Sequence, residues 1–186
     1  MKLVVLGRDG VLNNAAQKGP LRDNTWKPFP GAIAAIQRLN HAGYRVVVAT
    51  NQQALSSGDL TVEALHDVHE RMLREVHEQG GIIDGVFFSS SGNAQGRGKR
   101  QPKVNLLREI EGRYSIACNK MTVIGDSRED LEASKSVGAR AMLVRTGEGA
   151  HTLSELNDFD GVTTFRDLAG AAEQLCQEAQ AAASHV

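Results

Sequence analysis

Cysteine is scarce in this chain, with two residues, Cys118 and Cys176, far apart and forming no Cys-x-x-Cys pair. That usage favours a reducing compartment and two unpaired thiols, with a single disulfide left open at the level of sequence. Excess charge of either sign is lacking as well: 21 Lys and Arg nearly balance 22 Asp and Glu. No global field therefore draws the chain to nucleic acid or to an anionic membrane. Long apolar runs are missing too. Val46–Ala49 and Ile82–Phe88 are far too short to cross a bilayer. The N-terminus enters a strand-like run, Lys2–Leu6, without the order of charged, apolar and small residues that marks a signal peptide. No internal repeat is present. These absences lead to the expectation of one cytoplasmic domain over residues 1–186, with no membrane and no nucleic-acid partner.

What is present is an alternation. Leu3–Leu6, Val46–Ala49, Val86–Phe88, Met121–Ile124 and Ala141–Val144 are short, largely aliphatic and bounded by Gly, Asp, Asn or Ser. Such runs read as strands buried on both faces, as in a parallel sheet. Between them lie helical spacings. Gly31–Ala42 carries Ile33, Ile36 and Leu39, starts after Pro30 and stops at Gly43. Thr61–Gln79 carries Leu65, Val68, Met72 and Val76, with Thr61 as N-cap. Val104–Arg113 and Arg128–Val137 follow, the latter ending at Gly138, and Phe165–His185 reads as an outer helix with a solvated Ala/Gln face. The fold class expected is α/β, a doubly wound, mainly parallel sheet. Asn13–Phe29 and Ser89–Gln101 break the rhythm and read as loops, the second exposed and mobile.

Ligands of such a sheet bind beyond the carboxyl ends of its strands. There the chain places Gly7-Arg8-Asp9-Gly10, Thr50-Asn51-Gln52, the basic stretch Arg97, Lys99, Arg100 and Lys103, and Gly125-Asp126-Ser127-Arg128-Glu129-Asp130. Acids, a hydroxyl and cations in one pocket suit a divalent metal together with a phosphate. Each group also has a plainer use. Asp9 suits a turn, Asp126 and Asp130 suit the start of a helix, and Thr50 and Asn51 suit a cap. His66 and His69 are explained by an exposed helix face, and the basic stretch lacks the aromatics of a nucleic-acid site.

Taken in order, these motifs resemble those of the haloacid-dehalogenase (HAD) phosphatases. Within them the chain is similar to the heptose-bisphosphate phosphatase branch, close to the histidinol-phosphatase-like members. Arg8–Asn13, Trp26–Gly31 and Val47–Gln52 carry that likeness, which runs from about Lys2 to Gly147. The resemblance implies a Rossmann-like domain with little or no cap, acting on phosphorylated sugars or binding phosphate. It implies Asp9 as acid/base, Thr50, Asn51, Arg100 and Lys103 as phosphate or substrate contacts, and Asp126, Asp9 and Asp130 around magnesium.

The chain departs from that pattern in three places. The family's nucleophilic aspartate falls on Gly7, which can neither form a covalent phosphoryl intermediate nor ligate a metal. The lysine before the proline falls on Gln101, with Lys99 and Lys103 out of register. The family's zinc loop falls on Ser89–Gln101, which has no Cys or His, so no zinc is expected there. The expectation is a non-catalytic or severely impaired phosphatase homologue that keeps a phosphate pocket, with magnesium weakened. An active hydrolase using Asp9 or metal-bound water, and a partner-binding module, stay open beside it.

Overall fold

A computed structural model describes residues 2–14, 26–90, 102–156 and 162–184. Among these, β1 (Lys2–Gly7) leads to α1 (Ala32–His41), β2 (Tyr44–Asn51), α2 (Gln53–Ser57), α3 (Val62–Glu78) and β3 (Gly85–Ser89). Then come α4 (Pro102–Tyr114), a 3-10 turn at Cys118–Lys120, β4 (Met121–Gly125), α5 (Arg128–Val137), β5 (Arg140–Val144), α6 (Gly149–Glu155), β6 (Thr163–Phe165) and α7 (Leu168–Ala183). All strand pairings are parallel, in the order β3-β2-β1-β4-β5-β6. The expected doubly wound α/β fold is therefore present. β1 and β4 are neighbours although the chain leaves β1 toward β2 and β3 first. That reversal opens a crevice beyond their carboxyl ends, where such sheets bind ligands.

Side-chain alternation along β1 explains why helices cover both faces. Val4 and Leu6 join Ile33, Ile36 and Leu39 of α1, Val68 and Met72 of α3, and Leu168 and Leu175 of α7. Leu3 and Val5 point the other way, to Leu107 and Ile110 of α4 and Ala133 and Val137 of α5. Fully buried aliphatic side chains of this kind contribute about 1.5–3 kcal/mol each. α5 begins with a capping box, in which the Ser127 side chain accepts from the Asp130 N–H and the Asp130 carboxylate accepts from the Ser127 N–H. It ends at Gly138 in the left-handed conformation.

One strand goes beyond the runs marked in the sequence, and two expectations need correction. The sheet has a sixth strand, β6, three residues long and too short to show a period. β3 is an edge strand, not one buried on both faces, and Phe88 is exposed there. α7 packs Leu168, Ala171, Ala172, Leu175 and Ala179 into the core, so its alanines are a contact face. Both cysteines are free, as their spacing favoured. No helix among the described residues is long and apolar enough to cross a membrane.

Candidate active site

After β1 the chain turns back at once. The Arg8 carbonyl accepts the N–H groups of Leu12 and Asn13, and the Gly10 N–H donates to the Asn13 carbonyl. The turn drops Val11 and Leu12 into the core and leaves Asp9 at the rim of the crevice. Arg8 is buried against it: Nη2 lies 2.6 Å from Asp9 Oδ2, and Nε lies 3.1 Å from both Asp9 oxygens. Asn13 Nδ2 donates to Oδ1 at 3.1 Å and Gln52 Nε2 to Oδ2 at 3.3 Å. Burial pushes the Asp9 pKa up, but the Arg8 charge and these donors outweigh it and hold the carboxyl below its ordinary range. Asp9 is an ionised, tightly held carboxylate at neutral pH.

β2 delivers Thr50, Asn51 and Gln52. Gln52 Nε2 donates to Thr50 Oγ1 at 2.7 Å, which leaves the Thr50 hydroxyl proton for another acceptor. Asn51 Oδ1 is buried with no hydrogen-bond partner among the described residues. Leaving such an acceptor unmade costs about 1–3 kcal/mol, so a ligand donor at this point is favoured.

The first turn of α4 supplies Lys103, whose Nζ lies 2.5 Å from Asp130 Oδ1 and 3.2 Å from Ser127 Oγ. Burial pulls the Lys103 pKa down, but the Asp130 carboxylate, helped by Glu129 and Asp126, raises it overall. Burial likewise works against the charge on Asp130, and Lys103 and Ser127 more than compensate. Both groups are charged. Lys103 thus reaches the crevice despite standing two places beyond the register of the expected lysine, because Pro102 opens the helix and its long side chain turns back over the first turn. Lys103, expected in the pocket though out of register, lines the cleft.

Asp126, at the end of β4, is sealed between glycines. A Cβ built on Gly10 (φ +83°) would stand 1.8 Å from Asp126 Oδ2. Oδ2 accepts the Glu148 N–H at 2.8 Å, and the Thr152 hydroxyl donates to the Asp126 carbonyl. Burial pushes the Asp126 pKa up to about 6, against the Glu148 hydrogen bond and with the Asp130 charge adding to the rise. No side-chain cation forms an ion pair with Asp126 among the described residues. A carboxylate so placed favours a cation. Yet among the described residues no three Asp, Glu, His or Cys side chains converge as a metal centre. The donors fit an ion that keeps several waters and completes its shell with phosphate oxygens, as magnesium does.

A cleft of about 840 Å³ joins these parts, lined by Gly7, Asp9, Thr50, Lys103, Asp126 and Asp130 among others. Asn51 lines it too. Ser89 closes β3, and residues 91–101 of the loop expected to lack zinc, Arg100 and Gln101 among them, lie outside the described residues. Sequence reasoning missed Gly147, Glu148 and His69. His66 is exposed as expected, but His69 is buried and its Nε2 lies 3.1 Å from Arg8 Nη1. The helical periodicity carried a signal for this, since His69 follows Val68 on the inward side of α3.

A doubly wound sheet with an acidic, hydroxyl- and lysine-bearing cleft at its switch point fits the class of HAD-like hydrolases. Residues 98–171 match the family model described as HAD-hydrolase-like. The chain is 37% identical over 179 residues to the D-glycero-beta-D-manno-heptose-1,7-bisphosphate 7-phosphatase of Bordetella bronchiseptica, covering 96% of this chain and 100% of the relative. It is 38% identical to that of Pseudomonas putida, covering 94% and 99%. The chain belongs to the heptose-1,7-bisphosphate 7-phosphatase family of HAD-like hydrolases. Its fold matches the crystal structure of the B. bronchiseptica D,D-heptose 1,7-bisphosphate phosphatase complexed with magnesium and phosphate. That match has a TM-score of 0.89 at 36% identity, over 96% of this chain and 99% of that one. The Burkholderia thailandensis D,D-heptose 1,7-bisphosphate phosphatase matches with a TM-score of 0.75 at 36% identity, over 94% and 98%.

Proposed function

We propose that the cleft binds a sugar phosphomonoester of the heptose bisphosphate kind and hydrolyses it slowly, by attack of water instead of a carboxylate at position 7. The observation that carries this reading is the pairing of an ionised Asp9 with phosphate-directed donors in a cleft that has only Gly7 where the resemblance puts a nucleophile. The Thr50 hydroxyl and the Lys103 ammonium hold the phosphoryl oxygens, and Asn51 Oδ1 accepts from a ligand hydroxyl. Asp126 and the Asp9 backbone carbonyl would hold magnesium, which when bound supplies positive charge to the phosphoryl group. The lost carboxylate at position 7 makes that hold weak.

In the chemical step the Asp9 carboxylate takes a proton from water as its oxygen bonds phosphorus. The ester P–O bond breaks, and the departing sugar oxygen takes a proton from solvent. Asp9 is a poor base for this work. Its pKa is held low, whereas a general base acts best when its pKa lies near the working pH. Low turnover follows from that mismatch and from the missing covalent route, whose loss in other hydrolases reaches on the order of 10⁶.

The clamp of Arg8, Asn13 and Gln52 on Asp9 favours a second reading, in which the cleft binds the sugar phosphate without turnover. Phosphate release from heptose 1,7-bisphosphate, measured with magnesium over long incubation, separates the two. Release above background that disappears in Asp9→Asn supports the water route. Release unchanged in Asp9→Asn overturns it. A ³¹P shift on binding with no release supports the second reading.

A further inference from the structure

Arg8 is the largest fully buried side chain among the described residues, and its pairing with Asp9 leaves one edge of the guanidinium for another partner. A guanidinium keeps its charge at any working pH and offers five N–H donors in a rigid plane. Two of its nitrogens, Nε and Nη2, face the Asp9 carboxylate. The remaining nitrogen, Nη1, faces His69 Nε2 at 3.1 Å. Because the guanidinium has no lone pair to offer, Nε2 must be the acceptor, and His69 must be neutral with its proton on Nδ1. The ring stands on the inner side of α3, with Phe88 of β3 tilted against it at 6.1 Å between centroids.

We infer that His69 is a positioning residue of the cleft: by accepting from Arg8 Nη1 it fixes the guanidinium plane so that the other two nitrogens grip both oxygens of Asp9. Without the third contact, the guanidinium would be hydrogen-bonded along one edge only, to Asp9, itself at the rim of the crevice. With it, Asp9 is oriented from the core through two planar groups, each packed where it cannot swing. Burial and the Arg8 charge hold the His69 pKa near 4, which keeps the acceptor form through the neutral range. His69 does not touch the substrate; it acts through Arg8. The inference rests on the reading of Asp9 as the working carboxylate, and its test has arms that need no turnover.

The wild-type protein is examined first by ¹⁵N NMR of its histidine rings. His69 should show the Nδ1–H tautomer with Nε2 as hydrogen-bond acceptor at neutral pH; an Nε2–H tautomer overturns the inference. His69→Met keeps the volume but removes the acceptor, and His69→Gln returns an acceptor at a similar reach. The Arg8 Nη resonances should be separate in the wild type and in His69→Gln, and averaged by rotation in His69→Met. Turnover of heptose bisphosphate should fall about 10-fold or more in kcat with KM little changed in His69→Met, since small misplacements of a reacting group cost up to roughly 10². His69→Gln should restore most of it. Equal damage in both variants would mean that His69 only packs, and an unaltered Arg8 spectrum in His69→Met would sink the proposal. If the protein shows no turnover at all, the function reading fails and the tautomer and Arg8 spectra still decide this one. If His69→Met does not fold, the wild-type tautomer decides alone.

Discussion

Gly147 lies directly against Gly10: a Cβ built on Gly147 would stand 2.4 Å from the Gly10 Cα and 2.2 Å from Asp126 Oδ2. Two loops, one after β1 and one after β5, meet there, with the Asp126 carboxylate lodged against both glycines. Thr146 locks them by donating to the Gly10 carbonyl at 2.7 Å. Gly147→Ala meets backbone, which cannot step aside, at a φ of +59° that alanine adopts with strain. The expected result is a loss of about 1–3 kcal/mol in unfolding free energy by urea titration. Phosphate affinity should fall as well, because Asp126 is pushed from its place.

Lys103 and Asp130 form a second, largely buried ion pair of the site beside Arg8 and Asp9, with side chains 20% and 8% exposed. Lys103→Met fills the same space and strands a carboxylate that also caps α5. Removing one partner of such a pair costs about 3–5 kcal/mol, read as a lower urea midpoint. Phosphate binding measured by calorimetry should weaken in the same variant. Unchanged stability together with unchanged affinity would show that Lys103 is peripheral.

Stability should depend on pH through Asp126. Its pKa rises from 3.8 unfolded to about 6 folded. The contribution is therefore fully present below about 3.8 and is lost as pH rises through about 6, amounting to on the order of 2–4 kcal/mol. Asp9 and Asp130, held low in the fold, act oppositely and only at more acid pH. Asp126→Asn cannot ionise and should be more stable than the wild type at pH 7, with the advantage shrinking toward pH 4. A constant difference across that range would contradict the assignment. Magnesium should raise the wild-type melting temperature more at pH 7 than at pH 5.

Gly7→Asp should gain activity. The residue sits in ordinary strand geometry, and an added Cβ meets only Val11 Cγ2 closely, at 3.0 Å, a side-chain end that can yield. The new carboxylate would stand in the cleft that Lys103 and Asp126 already line, so charge compensation does not wait on Gln101. Turnover of heptose bisphosphate should rise by about 10² or more, the scale of one well-placed polar group. It should fall again in Gly7→Asp with Lys103→Met. Tighter magnesium binding is expected alongside. No gain in either quantity would mean that position 7 does not face the phosphoryl group.

The sheet was legible because five of its strands are aliphatic runs closed by turn residues, a pattern that burial on both faces imposes. α5 was legible to the residue, since Ser127 and Gly138 mark its ends chemically. β6 carries too few residues for any period, and the apolar face of α7 is built from alanines that mimic a solvated helix. In the site, the cleft positions of Asp9, Thr50 and Asp126 were legible because each stands at or just past the carboxyl end of a strand. Lys103 was expected in the pocket, but its reach could not be fixed, because it depends on how α4 is rotated at Pro102. His69 was hidden by its neighbour His66: only packing shows that one ring faces water and the other faces Arg8.

The strand order has a consequence for how the molecule is made. β1 emerges from the ribosome before the other strands of this sheet, but the neighbour that closes the crevice beside it, β4, begins at Met121. Until that segment is synthesised, one edge of the central strand has no hydrogen-bonding partner, and an open aliphatic edge is a template for wrong pairing. Release of β1 from that exposure requires long-range closure, which slows folding relative to local hairpins or helix pairs. Sugar phosphate bound at the junction of β1 and β4 would therefore act as a folding ligand. It should raise the yield of refolded protein by binding only the form in which that junction has closed.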